Sequence, residues 1–234
     1  MNQLAMNFHI FSKMCIFRNL YPSSTVNCHL AQIYGMTIFT SSDPLAWGEL
    51  DVPMFGLGKD WYGEDFQPVA GFSIVKDPHR LWFIANHRSP ADLHPRSRPG
   101  GFLTELWRHD VAELFIADPA SGRYFEFNLA PNGAWWTCEF TAPRVRAEEV
   151  EIAMPDVATF AEMAPDGSWL AAMAIPLDLL KARLDFGKES MVNVTMILGS
   201  PAQKFLTAAN LGAGDPDFHR PQAFSKVAFT PIPR

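Results

Sequence analysis

The sequence predicts an all-β protein, an antiparallel β-sandwich with one short helix. Three observations point there. Short runs rich in Val, Ile, Phe, Tyr and Trp recur from Val69 onward, turn residues separate them at strand-like spacing, and only one segment carries helical signals. The composition suits a buried core, with 48% hydrophobic, 13% aromatic and only 19% charged residues, which argues against a disordered chain. A chain of 234 residues does not require a second core, because all-β domains reach this size undivided.

The regular pattern starts late. Residues 1–35 scatter apolar side chains around Lys13 and Arg18 without strand alternation, helical periodicity or the charged, apolar and small-residue succession of a secretory signal. The expectation is a poorly structured segment with Met36 as an alternative start, and a cytoplasmic product. Residues 36–68 are expected to form an extension packing on the sandwich, and 56–63, glycine-rich but neither ending in Lys-Ser/Thr nor opening a helix, reads as a loop. The sandwich itself is assigned to 69–234. Its strands are predicted at 69–76, 80–87, 110–117, 123–130, 134–141, 168–175, 191–199, 204–208 and 224–230. Asp77-Pro78, Asp118-Pro119 with Ser121-Gly122, Pro131-Asn132-Gly133 and Asp166-Gly167 supply the turns. The helix is predicted over 176–184, where Pro176 and Asp178 favour the first turn and Lys181 and Arg183 the last. One long connection, 88–105, holds Pro90, Pro95, Pro99 and Gly100-Gly101, and a loop of that length in a small domain is functional or mobile.

Charge removes two classes of partner. A net charge of -6 gives no general attraction to nucleic acid or to an anionic membrane, and no apolar run approaches the roughly 20 residues of a membrane span. Cys15, Cys28 and Cys138 are an odd number at spacings that match neither a zinc site nor a disulfide framework.

The most informative segment is LWRHDVAELF, 106–115, followed after a turn by RYFEFNLAPNGAWW, 123–136. In an extended chain Val111, Glu113 and Phe115 share one face, as do Tyr124, Glu126 and Asn128, while Phe125, Phe127 and Leu129 take the opposite, core face. A carboxylate flanked by apolar side chains needs a partner, a ligand or water.

These residues resemble a known family. Trp107, Asp110, Glu113 and Phe115 form a Trp-x-x-Asp-x-x-Glu-x-Phe pattern similar to the signature strand of family 9 carbohydrate-binding modules and their DOMON-like relatives. The sequel is similar too: Tyr124-x-Glu126-Phe127 with Pro131 and Gly133, Trp169 ahead of Ala174-Ile175-Pro176-Leu177, and Phe218-His219-Arg220-Pro221 with Phe224. The resemblance implies a sandwich whose site holds a sugar between two aromatic rings, with a carboxylate, an arginine and an amide on its hydroxyls. Trp107 matches one ring and Glu113 the carboxylate. Glu126 stands at the arginine's place, Thr195 at the amide's and His219 at the second ring's.

Plainer readings stand beside these. Trp107 suits packing as well as it suits a ligand platform, and Trp135, Trp136 and Trp169 read as packing. Glu113 and Glu126 are expected to pair with Arg108, Arg123 or Arg144, and otherwise form a glycosidase acid and nucleophile. His219 reads as a hydrogen-bonded structural histidine. DOMON relatives that bind haem through Met and His make Met154, Met163, Met173, Met191 or Met196, with His109 or His219, the haem candidates, while Asp110, Asp118 and Asp166 are the calcium candidates. Neither cofactor is expected. Asn193-Val194-Thr195 matches a glycosylation acceptor inside a predicted strand. The expected function is a non-catalytic module binding a carbohydrate or related small polar ligand through Trp107, Glu113, Glu126, Thr195 and His219. The alternatives are haem binding and glycoside hydrolysis.

Overall fold

The computed structural model describes residues 35–150 and 153–233. The expectations for residues 1–34, Cys15 and Cys28 among them, lie outside the described residues. In chain order the strands are β1 (Met36–Thr40), β2 (Phe55–Lys59), β3 (Asp65–Lys76), β4 (Arg80–His87), β5 (Val111–Ala117), β6 (Tyr124–Leu129), β7 (Trp135–Ala142), β8 (Val145–Arg146), β9 (Ala158–Met163) and β10 (Trp169–Pro176). The helix α1 (Leu177–Arg183) follows, then β11 (Met191–Leu198), β12 (Lys204–Thr207) and β13 (Ser225–Pro231). No helix among the described residues is long and apolar enough to cross a membrane.

The strands hydrogen-bond in the order β8-β7-β6-β5-β11-β13-β1-β3-β4-β10-β9, with β12 also on β11 and β2 also on β3. This corrects the purely antiparallel sandwich: β1 runs parallel to both β13 and β3, so the sheet is mixed and continuous. The sheet curls so that its two halves face each other. Ile38, Phe72, Ile74 and Phe83 from one half share a core with Leu114, Ile116, Phe127, Val194 and Met196 from the other. Alternation along each strand produces this, because every second side chain of β5 and β6 points inward.

Residues 36–68 contribute β1, β2 and the start of β3 to the sheet. The glycine-rich loop at 56–63 is corrected too, since its first part belongs to β2. A β-carbon on Gly56 would lie 2.8 Å from Val69 Cγ1, so the glycine permits close strand contact. Strands β8 and β9 were also absent from the sequence reading. The long 88–105 connection is fastened down: Asp110 accepts a hydrogen bond from the Asp92 N–H (3.2 Å) and Trp135 Nε1 donates to Gly100 O (3.3 Å).

The outer face of β7-β6-β5-β11 is what positions the site. Strand β5 is buried on both faces, because Leu103, Leu106, Phe205, Leu211, Phe218 and Phe224 from the flanking loops roof the side turned away from the main core. The roof is incomplete over the middle of these strands.

Candidate functional site

A cavity of about 400 Å³ opens at that gap, bounded among others by Trp107, Glu113, Glu126, Trp136, Arg144 and His219. Four of the five sequence-derived site residues therefore meet there. The fifth, Thr195, is fully buried behind Glu113 and donates its hydroxyl to Glu113 Oε2 at 2.8 Å. Thr195 positions the carboxylate. Asn193, in the same strand, is fully buried and hydrogen-bonded to Thr207, so the glycosylation match has no surface to act on.

Strand register explains the convergence. Thr195 of β11 pairs with Glu113 of β5, Glu113 with Asn128 of β6, and Asn128 with Trp136 of β7, a polar row crossing four strands. Glu126 is two residues before Asn128 on the same face, diagonal to Glu113. Trp107 belongs to a short 3-10 turn, Leu106–Arg108, entered through Glu105 with φ 62°. That left-handed backbone is costly for a residue with a β-carbon. It leads into a turn whose Trp107 ring is 47% exposed at the cavity's edge, which makes packing an incomplete account of this residue.

The expected arginine partners of the two glutamates are engaged elsewhere: Arg108 with Glu105, Arg123 with Glu139 and Arg144 with Asp217. Among the described residues neither Glu113 nor Glu126 forms an ion pair with a lysine or arginine. Both are at most 5% exposed. Burial pushes Glu113 up to about 7 against the pull of the Thr195 hydroxyl. Glu126 is pushed well above the usual carboxylate range, first by burial and then by the charge on Glu113. Asn128, Arg144 and Arg146 pull it back in part, although Asn128 Nδ2 and Oδ1 reach no partner at hydrogen-bonding geometry. Burial and mutual repulsion thus shift both carboxyls towards their neutral forms.

His219 is part of the cavity floor rather than a second stacking ring. The Tyr124 hydroxyl accepts from the Arg144 N–H (3.0 Å) and lies 2.7 Å from His219 Nδ1. With that hydroxyl donating to Nδ1, the neutral imidazole carries its hydrogen on Nε2, 3.6 Å from Glu126 Oε2. Burial, and then the Arg144 charge, lower the His219 pKa to about 4. Burial raises Tyr124 to about 12.

Two residues lining the cavity, Trp136 and Arg144, were not among the sequence candidates. Asn128, on the same face of β6, is 1% exposed and lies beneath them. Trp136, read as packing, lines the cavity with its buried Nε1 unpartnered. Arg144 occupies the turn between β7 and β8 with φ 61°, for which the sequence carries no signal.

Of the haem candidates, His219 has both ring nitrogens against protein groups, His109 Nδ1 meets Asp92, and Met173 and Met196 are buried in the main core. Asp118 and Asp166 hold their own turns, accepting from Ala120 N–H and Ser168 N–H, whereas Asp110 ties two distant loops together by accepting from Asp92 N–H and Ser200 N–H. Among the described residues no three His, Cys, Asp or Glu side chains cluster as metal ligands.

No family model and no curated protein matches the chain. Its fold is similar to that of a candidate carbohydrate-binding protein from Bacteroides uniformis, at 17% identity and a TM-score of 0.62, covering 84% of this chain and 99% of that one. It is also similar to a family 9 carbohydrate-binding module from Caldicellulosiruptor kristjanssonii. The complex with cellotriose aligns at 11% identity and a TM-score of 0.55 over 85% of this chain and 94% of that one. The complex with glucose gives 12% and 0.55 over 84% and 97%. The fold is thus like that of family 9 modules.

Proposed function

We propose that the chain is a non-catalytic module that binds a sugar, or a related small polyhydroxylated ligand, in the Trp107 cavity. The observation that carries this is an exposed indole face at the edge of a cavity lined by two buried carboxyls, Glu113 and Glu126, that form no ion pair with a lysine or arginine among the described residues. The apolar C–H face of a pyranose suits the Trp107 ring. Its hydroxyls both donate and accept, as carboxyls at Glu113 and Glu126 require. A volume of about 400 Å³ lies in the range of small-molecule sites. Likeness of fold to sugar-binding modules supports the reading, and kinship with DOMON-like domains belongs to the same proposal. Titration calorimetry against common mono- and oligosaccharides tests it. Saturable binding that Trp107→Ala weakens is expected, and no binding across the panel would overturn the proposal.

The raised carboxyls favour one second reading, hydrolysis of a glycoside by Glu113 and Glu126, since environments that shift paired carboxyls mark acid and base roles. It requires turnover of an activated aryl glycoside that Glu113→Gln abolishes. Absence of turnover in the wild-type protein ends it.

A further inference from the structure

We propose that the sugar taken by the Trp107 cavity is an amino sugar, a pyranose whose primary ammonium group sits between Glu113 and Glu126. This rests on the sugar-binding reading and narrows it to a chemical class.

Among the charged groups on the cavity, Glu105 is paired with Arg108 outside it and Arg144 with Asp217. Glu113 and Glu126 remain, and the Arg146 guanidinium lies over the Trp136 ring at 5.6 Å from its centroid. His219 faces the pair as a neutral imidazole, and Tyr124 as a neutral phenol. Two buried carboxyls on adjacent strands thus share a cavity without an ion pair to a lysine or arginine among the described residues. A protein that only needed to fill this volume would carry apolar side chains there, since an uncompensated buried carboxylate is costly. The free protein meets part of that cost through raised affinity of both carboxyls for protons. A ligand cation meets it without protons.

Geometry favours an ammonium over a hydroxyl at this point. A primary ammonium carries three donors and no acceptor. The diagonal placement of Glu113 and Glu126, both lining the cavity, offers carboxyl acceptors from two strands. Each carboxyl has one neutral protein donor facing it, the Thr195 hydroxyl at 2.8 Å for Glu113 and His219 Nε2 at 3.6 Å for Glu126. Lone pairs therefore remain on both. Trp136 adds a second aromatic surface to the cavity wall. Trp107 supplies the stacking face.

Binding an ammonium displaces protons from the pair. As pH falls and both carboxyls fill with protons, affinity for the amino sugar is lost. Affinity for a neutral sugar does not follow that course, because protonated carboxyls still donate and accept hydrogen bonds.

The experiment is calorimetry on the full chain near pH 7 with glucosamine, glucose and N-acetylglucosamine, each in two buffers of different ionisation enthalpy. Deacetylated chitooligosaccharides form a further arm. Glucosamine is expected to bind at least tenfold more tightly than the other two monosaccharides and to release protons, seen as an enthalpy that depends on the buffer. The Glu126→Gln variant, checked for an unchanged circular dichroism spectrum, is expected to reduce that preference to less than about threefold, and Glu113→Gln provides the same readout if Glu126→Gln does not fold. These factors follow from the loss of one charge-assisted hydrogen bond. Equal affinity for free glucosamine and its oligomers assigns the site to a terminal residue, whereas tighter oligomer binding assigns it to a polymer. Glucose binding as tightly as glucosamine overturns the amino-sugar assignment and leaves sugar binding standing. No binding of any sugar overturns both.

Discussion

Replacing Glu113 by glutamine should make the protein more stable at neutral and alkaline pH while it damages the site. The carboxyl is buried, and its pKa in the folded state is raised from an ordinary 4.5 to about 7. Between those two values the folded chain binds more protons than the unfolded chain, so stability falls as pH rises through that window. The gap corresponds to about 3 kcal/mol, at about 1.4 kcal/mol for each pH unit. Glutamine has nearly the same shape and keeps an oxygen to accept the Thr195 hydroxyl, so most of that cost should be recovered. The gain is absent below pH 4.5 and complete above about 7. Comparison with the wild type at each pH is essential, because His219 acts in the opposite sense. Its pKa is lowered from 6.5 to about 4, so its contribution is lost as pH falls from 6.5 towards 4 and offsets the glutamate's trend. Urea denaturation of both proteins at several pH values between 4.5 and 8 measures the difference. A Glu113→Gln protein no more stable than wild type at pH 8, or equally stabilised at every pH, would refute the reasoning.

Three further outcomes are expected. Trp107→Ala should weaken ligand binding at least tenfold, the loss of one aromatic platform worth about 1.5 kcal/mol or more, with little change in thermal midpoint because the ring is 47% exposed; calorimetry and a melting curve check both. Tyr124→Phe removes the hydroxyl that meets His219 Nδ1 and the Arg144 N–H. It should cost about 1–3 kcal/mol and raise the His219 pKa from about 4, followed by proton NMR of the imidazole. Gly167→Ala places a β-carbon 2.5 Å from Pro90 Cγ at φ +84°, and should cost about 2 kcal/mol or more by chemical denaturation.

How far the sequence could be read depended on the range of the interactions involved. Strand β4 matches its predicted bounds, and β5, β6 and β7 lie within a residue of theirs, because alternation and turn residues are local signals. The placement of Glu113 and Glu126 on one face followed from the same period of two. Strand β1 was not legible as a strand, since it owes its position to parallel pairing with β13, at the other end of the chain. Strand β9 is an edge strand of half-buried residues, where the hydrophobic pattern is weak. In the site, Trp136 was indistinguishable from a packing residue because it is one; its unpartnered nitrogen shows only in three dimensions. Arg144 comes to the cavity through a turn conformation, and its partner Asp217 lies 73 residues away. The expected glutamate pairing failed for the same reason: which acid each arginine meets is decided by loops that fold over the sheet.

The central claim is that a sugar enters the cavity between Trp107 and the polar floor. The chain has seven tryptophans, so the indole N–H region of a ¹⁵N-correlated NMR spectrum gives a resolved reporter for each. On titration with the tightest-binding sugar of the panel, the Trp107 and Trp136 indole signals should shift together and saturate, the Trp136 signal moving as its N–H gains an acceptor. Trp82 and Trp169, on the far half of the sheet, should stay in place. Saturable shifts confined to those two, or an unchanged spectrum with every sugar, would contradict the account.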